Sequence, residues 1–189
     1  RDMSFVECLP VVPAMPHRVD PDALAACVDE ILVRLKGAAS PVLMAGVEVR
    51  RYGQEEHLAE LAGRLGIPVV TSFMGCGLLA DAGTPPVGVY LGVAGDPHVS
   101  ELVEGSDALF MLGVILSDTN LGVSGRKIDL RHTILAFDGQ VSLGYHTYAD
   151  IPLADLIAAL LGRTRDTAAS CAALSPPAVS AREFVADNE

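Results

Sequence analysis

Tryptophan is absent from this 189-residue chain, and aromatic residues together make up only 5% of it. Its core must therefore be aliphatic, which suits stacked parallel strands and helices better than an aromatic-rich β-barrel. Basic residues are also few: 13 Lys and Arg against 24 Asp and Glu leave a formal charge of −11. Such a surface repels phosphate backbones and anionic lipid, so neither nucleic acid nor a membrane surface is an expected partner. No apolar run approaches the ~20 residues that cross a bilayer. The first residues mix polar and apolar types, so no secretory signal is expected. The four cysteines, Cys8, Cys27, Cys76 and Cys171, are scattered without a CxxC pair. Scattered free thiols fit a reducing, cytoplasmic setting, and zinc binding is not expected.

Several chemical motifs are missing too. No GxGxxG follows the first strand, no GxxxxGK[ST] exists anywhere, and Ser117 lies in no Gly-x-Ser-x-Gly elbow. Gly75-Cys76-Gly77 has two glycines but no side chain to meet a phosphate, and reads as a tight turn. None of His17, His57, His98, His132 and His146 lies i, i+4 from another or near a Cys or acid at metal spacing, and they read as surface residues. No catalytic constellation emerges, so no catalytic residue and no metal ligand is assigned.

What is present is a regular alternation. Hydrophobic residues make up 50% and charged residues 20%, enough for one sizeable core. Residues 1–19, with Pro10, Pro13 and Pro16, read as an incoming linker. Asp20-Pro21 starts a helix, the Asp capping free N–H groups and the Pro tolerated at the first position. Leu24, Val28, Ile31, Leu32 and Leu35 share its inner face, and Gly37 stops it. Strands follow at 41–46, 68–71, 87–90, 108–112 and 133–137, and 141–148 supplies a sixth. Helices are expected at 54–65, after Asp96-Pro97, and at 153–161. Continuous aliphatic strands between amphipathic helices mean that both sheet faces are covered. The expected fold is α/β: a Rossmann-like, doubly wound, six-stranded parallel sheet in order 3-2-1-4-5-6, helices on both faces. The domain spans 20–162, and 163–189, rich in Ala, Ser, Thr and Pro, reads as a poorly ordered exit linker.

Such a sheet takes ligands where the strand order reverses, at the carboxyl ends of the strands. Here that crevice lies between the loop 46–53 and the loop 113–120, and its candidates are Gly46, Glu48, Arg50, Arg51, Ser117, Asp118 and Asn120. Arg50 and Arg51 would either clamp a phosphate or carboxylate or stand solvated on a helix approach. Asp118 and Asn120 would either orient a ribose or amide or turn the chain through side-chain to backbone bonds.

Several segments in order resemble the central domain of thiamine-diphosphate-dependent 2-oxo acid decarboxylases. They are Arg1-Asp2-Met3, Thr71-Ser72-Phe73-Met74-Gly75-Cys76-Gly77, Gly88-Val89-Tyr90-Leu91-Gly92, Ser117-Asp118-Thr119-Asn120 and Ala149-Asp150-Ile151-Pro152-Leu153. Arg126-Lys127-Ile128-Asp129-Leu130-Arg131 and Gly144-Tyr145-His146-Thr147-Tyr148 resemble the phenylpyruvate/indolepyruvate branch most. The resemblance implies a cytoplasmic, homo-oligomeric lyase of three domains. This chain would be the non-catalytic middle one, bracing the flanking pyrimidine- and diphosphate-binding domains, adding subunit contacts and a regulatory role.

In such a parent, thiamine diphosphate and magnesium sit between the first and third domains. No cofactor is expected on this chain, and Phe137-Asp138-Gly139 lacks the first glycine of the family's magnesium motif. Two departures stand out. Cys76 replaces a usual basic residue, and Glu48-Val49 stands where yeast-type pyruvate decarboxylases carry cysteines. Two other readings stay open: an FAD- or ADP-binding module of a related enzyme, and an NAD-dependent deacylase, which would need a catalytic His and a Gly-rich loop.

Overall fold

The computed structural model describes residues 19–83, 85–117, 120 and 127–165. Helix α1, Pro21–Gly37, opens as expected, with Asp20 accepting from the N–H of Asp22 at 3.0 Å. Then come β1 (Pro41–Ala45), α2 (Val47–Arg51), α3 (Glu55–Leu65), β2 (Val69–Ser72) and β3 (Val89–Tyr90). They are followed by α4 (Pro97–Glu104), β4 (Ala108–Leu112), β5 (Thr133–Phe137), β6 (Gln140–Leu143), β7 (His146–Tyr148) and α5 (Leu153–Arg165). Asp96 caps α4 through the His98 N–H at 2.8 Å.

One sheet in the order β3-β2-β1-β4-β5-β6-β7 holds all seven strands. β1 is the middle of the five parallel strands, with Leu43 opposite Val69 on β2 and opposite Phe110 on β4. Every residue of β1 and β4 is buried, the pattern of strands covered on both faces. Alternate side chains divide between two cores. Leu43, Ala45, Phe110, Leu112 and Ile134 pack under α1, α3 and α5. Val42, Met44, Val70, Leu109 and Met111 pack with Val99 and Val103 of α4 and with Ile128.

Three expectations need correction. The sheet has seven strands, and the last two run antiparallel: Phe137 pairs with Gln140, and Leu143 with His146. Two residues join each pair, and so short a link permits only an antiparallel hairpin, since a parallel return needs a crossover of a dozen or more. Asp138 (φ 51°) and Gly139 (φ 71°) both lie in the left-handed region, as a type I′ turn requires. Gly144 (φ 62°) leads the second turn and splits the expected sixth strand. The stretch after β1 is the short helix α2, not a loop, closed by the Tyr52 N–H on Glu48 O at 2.9 Å. Finally, α5 runs past Leu161 to Arg165. Thr164 satisfies its hydroxyl on Leu160 O at 2.9 Å, and Arg163 bonds Asp29 of α1 at 2.9 Å. The expected linkers otherwise lie outside the described residues.

Candidate functional site

At the carboxyl edge of the sheet, the loops after β1 and β4 are bonded to one another where they leave the strands. The Gly46 N–H donates to Leu112 O at 2.8 Å, and the Glu48 N–H to Gly113 O at 3.1 Å. A Cβ on Gly46 would stand 2.1 Å from the Gly113 carbonyl oxygen, so only glycine permits this crossing. Gly113 is the reciprocal case, with φ 66° and a hypothetical Cβ 2.8 Å from Glu48 Cβ. Its own N–H reaches on to Ala136 O of β5 at 2.8 Å.

The remaining candidates separate into distinct roles. Glu48 is only 4% exposed, and its Oε2 accepts the Asp138 N–H at 3.2 Å. A buried carboxylate needs such a partner, and this one ties the α2 loop to the β5–β6 turn. Arg50 and Arg51 are exposed, and the Arg50 Nε is engaged by Glu55 at 3.0 Å. Ser117 is half-buried and accepts the Asn120 N–H through its carbonyl at 3.1 Å and its hydroxyl at 3.3 Å. Asn120 is fully buried; its Nδ2 donates to Ile115 O at 2.8 Å and its Oδ1 accepts the Met74 N–H at 3.0 Å. Asp118 lies outside the described residues. The structure thus joins Gly46 with Glu48, and Ser117 with Asn120. It leaves Arg50 and Arg51 facing solvent.

Sequence reasoning missed what stands beside this crossing. Phe73 (45% exposed) and Met74 (41%) follow β2, and Leu116 (42%) follows β4. Asn120 bonds to the first of these loops and to the second, so the three side chains belong to adjoining segments. Large apolar residues exposed together mark contact surfaces more often than single ones do. Their hydrophobicity is legible in the sequence, but their exposure is not.

Other titratable groups serve the packing. Tyr90, fully buried, has its hydroxyl 3.4 Å from Glu104, and burial, with the Glu104 charge second, pushes its pKa up to about 12. Burial likewise raises the Cys27 thiol to about 12, with Glu30 adding to it, whereas Cys76 is exposed. His57 and His98 are exposed, as expected. Among the described residues no three His, Cys, Asp or Glu side chains group so as to hold a metal ion. Asp138 sits in the two-residue hairpin turn between β5 and β6. No helix among them is long and apolar enough to cross a membrane.

Residues 28–163 match the family model described as thiamine pyrophosphate enzyme, central domain. The chain is 66% identical over 163 residues to an indole-3-pyruvate decarboxylase of Azospirillum brasilense, covering 85% of this chain and 30% of that protein. It is 28% identical over 144 residues to a pyruvate decarboxylase of Aspergillus terreus, covering 76% of this chain and 25% of that one. A thiamine metabolism regulatory protein of Saccharomyces cerevisiae is 26% identical over 145 residues, with 77% and 24% covered. The chain spans less than a third of each of these relatives.

Proposed function

The chain belongs to the thiamine pyrophosphate enzyme central-domain family, and from that premise we propose that it is the non-catalytic middle domain of a 2-oxo acid decarboxylase of the indolepyruvate/phenylpyruvate type. The parent uses thiamine diphosphate with magnesium, works in the cytoplasm and forms a homo-oligomer. The middle domain braces the flanking pyrimidine- and diphosphate-binding domains and contributes to subunit contacts. No chemical step falls to its own residues.

One observation carries this reading. Where the chain leaves β1 and β4 the loops are joined by the Gly46–Gly113 crossing, and Glu48 is committed to the β5–β6 turn, while the neighbouring loops turn Phe73, Met74 and Leu116 outward. A surface of this kind suits protein, not nucleotide. The alternative of an FAD or ADP module finds no support: Arg50 is held by Glu55, and an acidic side chain sits where a pyrophosphate would need close backbone approach.

The test compares the 189-residue chain with the complete gene product. Calorimetric titration with thiamine diphosphate and magnesium, and aldehyde release from indolepyruvate or phenylpyruvate, should be positive for the complete protein and silent for the chain alone. A saturable micromolar isotherm from the chain, or aldehyde formed by it, would overturn the proposal. Flavin absorbance retained by the chain through gel filtration would revive the nucleotide module.

A further inference from the structure

A cavity of about 230 Å³ opens between α1 and α5, lined by Leu24, Ala25 and Val28 on one side and by Ala159 and Gly162 on the other. Pro21 and Arg163 complete the lining, and the Arg163 guanidinium is held by Asp29 at 2.9 Å. The other walls are apolar or lack a side chain. Among the described residues, nothing stands within 4 Å of a Cβ built on Gly162. A glycine inside an exposed helix costs stability, and no neighbour in the fold requires this one.

The chain that leads into α1 arrives at this cavity. Val19 and Leu24, both half-buried, stand just before the Asp20 cap and at the fourth helical position. Side chains at those two positions staple an incoming chain to the first turns of a helix. Leu24 is also a wall of the cavity. Upstream, Pro10, Pro13 and Pro16 recur every third residue, the period of a polyproline II helix. That conformation puts Leu9, Val12 and Met15 on one edge, about 9 Å apart. From Val19 back to Met15 it spans about 12 Å, and Val28 lies only about 6 Å beyond Leu24 along α1. Met15 is within reach.

We infer that the α1–α5 cavity is the seat of the chain's own entry segment, residues 9–18, with Met15 as the side chain that fills it. Charge and composition select this occupant over the exit segment. Residues 8–18 hold no acid and carry His17 and Arg18, whereas α1 exposes Asp22 and Asp29. Residues 166–189 set Asp166, Glu183, Asp187 and Glu189 against Arg182 alone, and Leu174 is their first large apolar side chain. Regular prolines also pre-set the conformation of the entry segment, so little ordering entropy opposes its seating. Methionine, unbranched and polarizable, adapts to an irregular gap between helices. The clasp fixes the direction from which the polypeptide reaches the domain, and it stands independently of the middle-domain reading.

The experiment is magnetic resonance on the 189-residue chain with isotope-labelled Met, Leu and Val methyl groups. The Met15 methyl, identified by its loss in Met15→Ser, should show nuclear Overhauser contacts to the methyls of Leu24 and Val28. Their absence overturns the inference, and so do contacts to Val28 from Leu174 in place of Met15. Trypsin gives a second reading, because cleavage after Arg18 tracks the released population of the segment. Losing one buried Met should speed that cleavage about tenfold in Met15→Ser. Gly162→Leu, which fills the cavity from the α5 side, should act likewise while cleavage after Arg64 in α3 stays unchanged. Equal Arg18 cleavage in the parent chain and both variants rejects the clasp. If Gly162→Leu also exposes Arg64, the fold itself has loosened, and Met15→Ser decides alone.

Discussion

At the residue scale, glycine divides into positions that the fold demands and positions that it merely tolerates. Gly46→Ala would drive a methyl group into the Gly113 carbonyl, a backbone atom that cannot rotate away. The expected loss is about 3 kcal/mol or more, from forced separation of β1 and β4. Gly63, on the exposed side of α3, has nothing within 4 Å of a would-be Cβ, so Gly63→Ala should gain about 0.5–1 kcal/mol. Urea denaturation of both variants checks the contrast; similar effects would mean that the crossing is not tight.

Asp107 poses a pH question at the same scale. Its carboxylate accepts the N–H groups of Ala39 (2.7 Å) and Ser40 (2.9 Å) where the chain enters β1, and these bonds, Ala39 first, hold its pKa below the ordinary value. A depressed folded pKa contributes stability above the unfolded value of about 3.9, and that contribution is lost as pH falls through the folded one. Asp107→Asn should therefore flatten the acid side of the stability–pH curve below about pH 4. An unaltered slope in acid titration of the variant would count against this. Glu48 shows why such roles stay hidden in a sequence. It lies against Gly113, 65 positions away in the chain, and no local pattern carries that.

At the scale of elements, local chemistry was most legible where backbone geometry is fixed by few residues. Asp20-Pro21 and Asp96-Pro97 announced α1 and α4, and both caps formed. Asp138-Gly139 also carried its message, a type I′ hairpin, yet the alternation of strands and helices before it favoured one more parallel strand. The two-residue link decides the matter physically. Asp138, like Asn, tolerates φ 51° because its short polar side chain bonds locally, whereas a β-branched residue does not. Asp138→Val, branched at Cβ, should cost about 1–2 kcal/mol; Asp138→Asn should stay within about 0.5 kcal/mol of the parent chain. Thermal melts of the pair distinguish a turn-driven hairpin from one held only by its strands, which would treat both changes alike. The end of α5 was misread for another reason. Thr164 and Arg163 look like linker residues by composition, and their helical partners, Leu160 O and Asp29, appear only once α5 lies against α1.

For the molecule as a whole, the parallel order 3-2-1-4-5 was legible because aliphatic strands with covered faces and right-handed crossovers leave few alternatives. The outward turn of Phe73, Met74 and Leu116 was not, because hydropathy does not say which apolar residue lacks a neighbour. Charge acts at this scale too. With 24 acidic and 13 basic residues, repulsive pairs outnumber attractive ones. Added salt should therefore raise the melting temperature from low ionic strength up to about 0.15 M, where the screening length falls to roughly 8 Å. A melting temperature that falls with salt would show that the local ion pairs outweigh the net charge.

The pairing of β1 with β4 in the sheet interior also sets a timetable for folding. Pro41 faces Ala108 across the β1–β4 ladder, while the β5–β6 and β6–β7 ladders close over two-residue turns. Hairpins of the second kind form in about 1–10 μs, whereas the long loop must close before its contacts return any energy. The edge hairpins are therefore early and reversible, and the barrier belongs to the moment when β4 finds β1. Gly46 and Gly113 meet at the far end of that ladder. A substitution there should slow refolding as well as destabilise, whereas one at the Asp138 turn should leave its mark mainly on the unfolding rate.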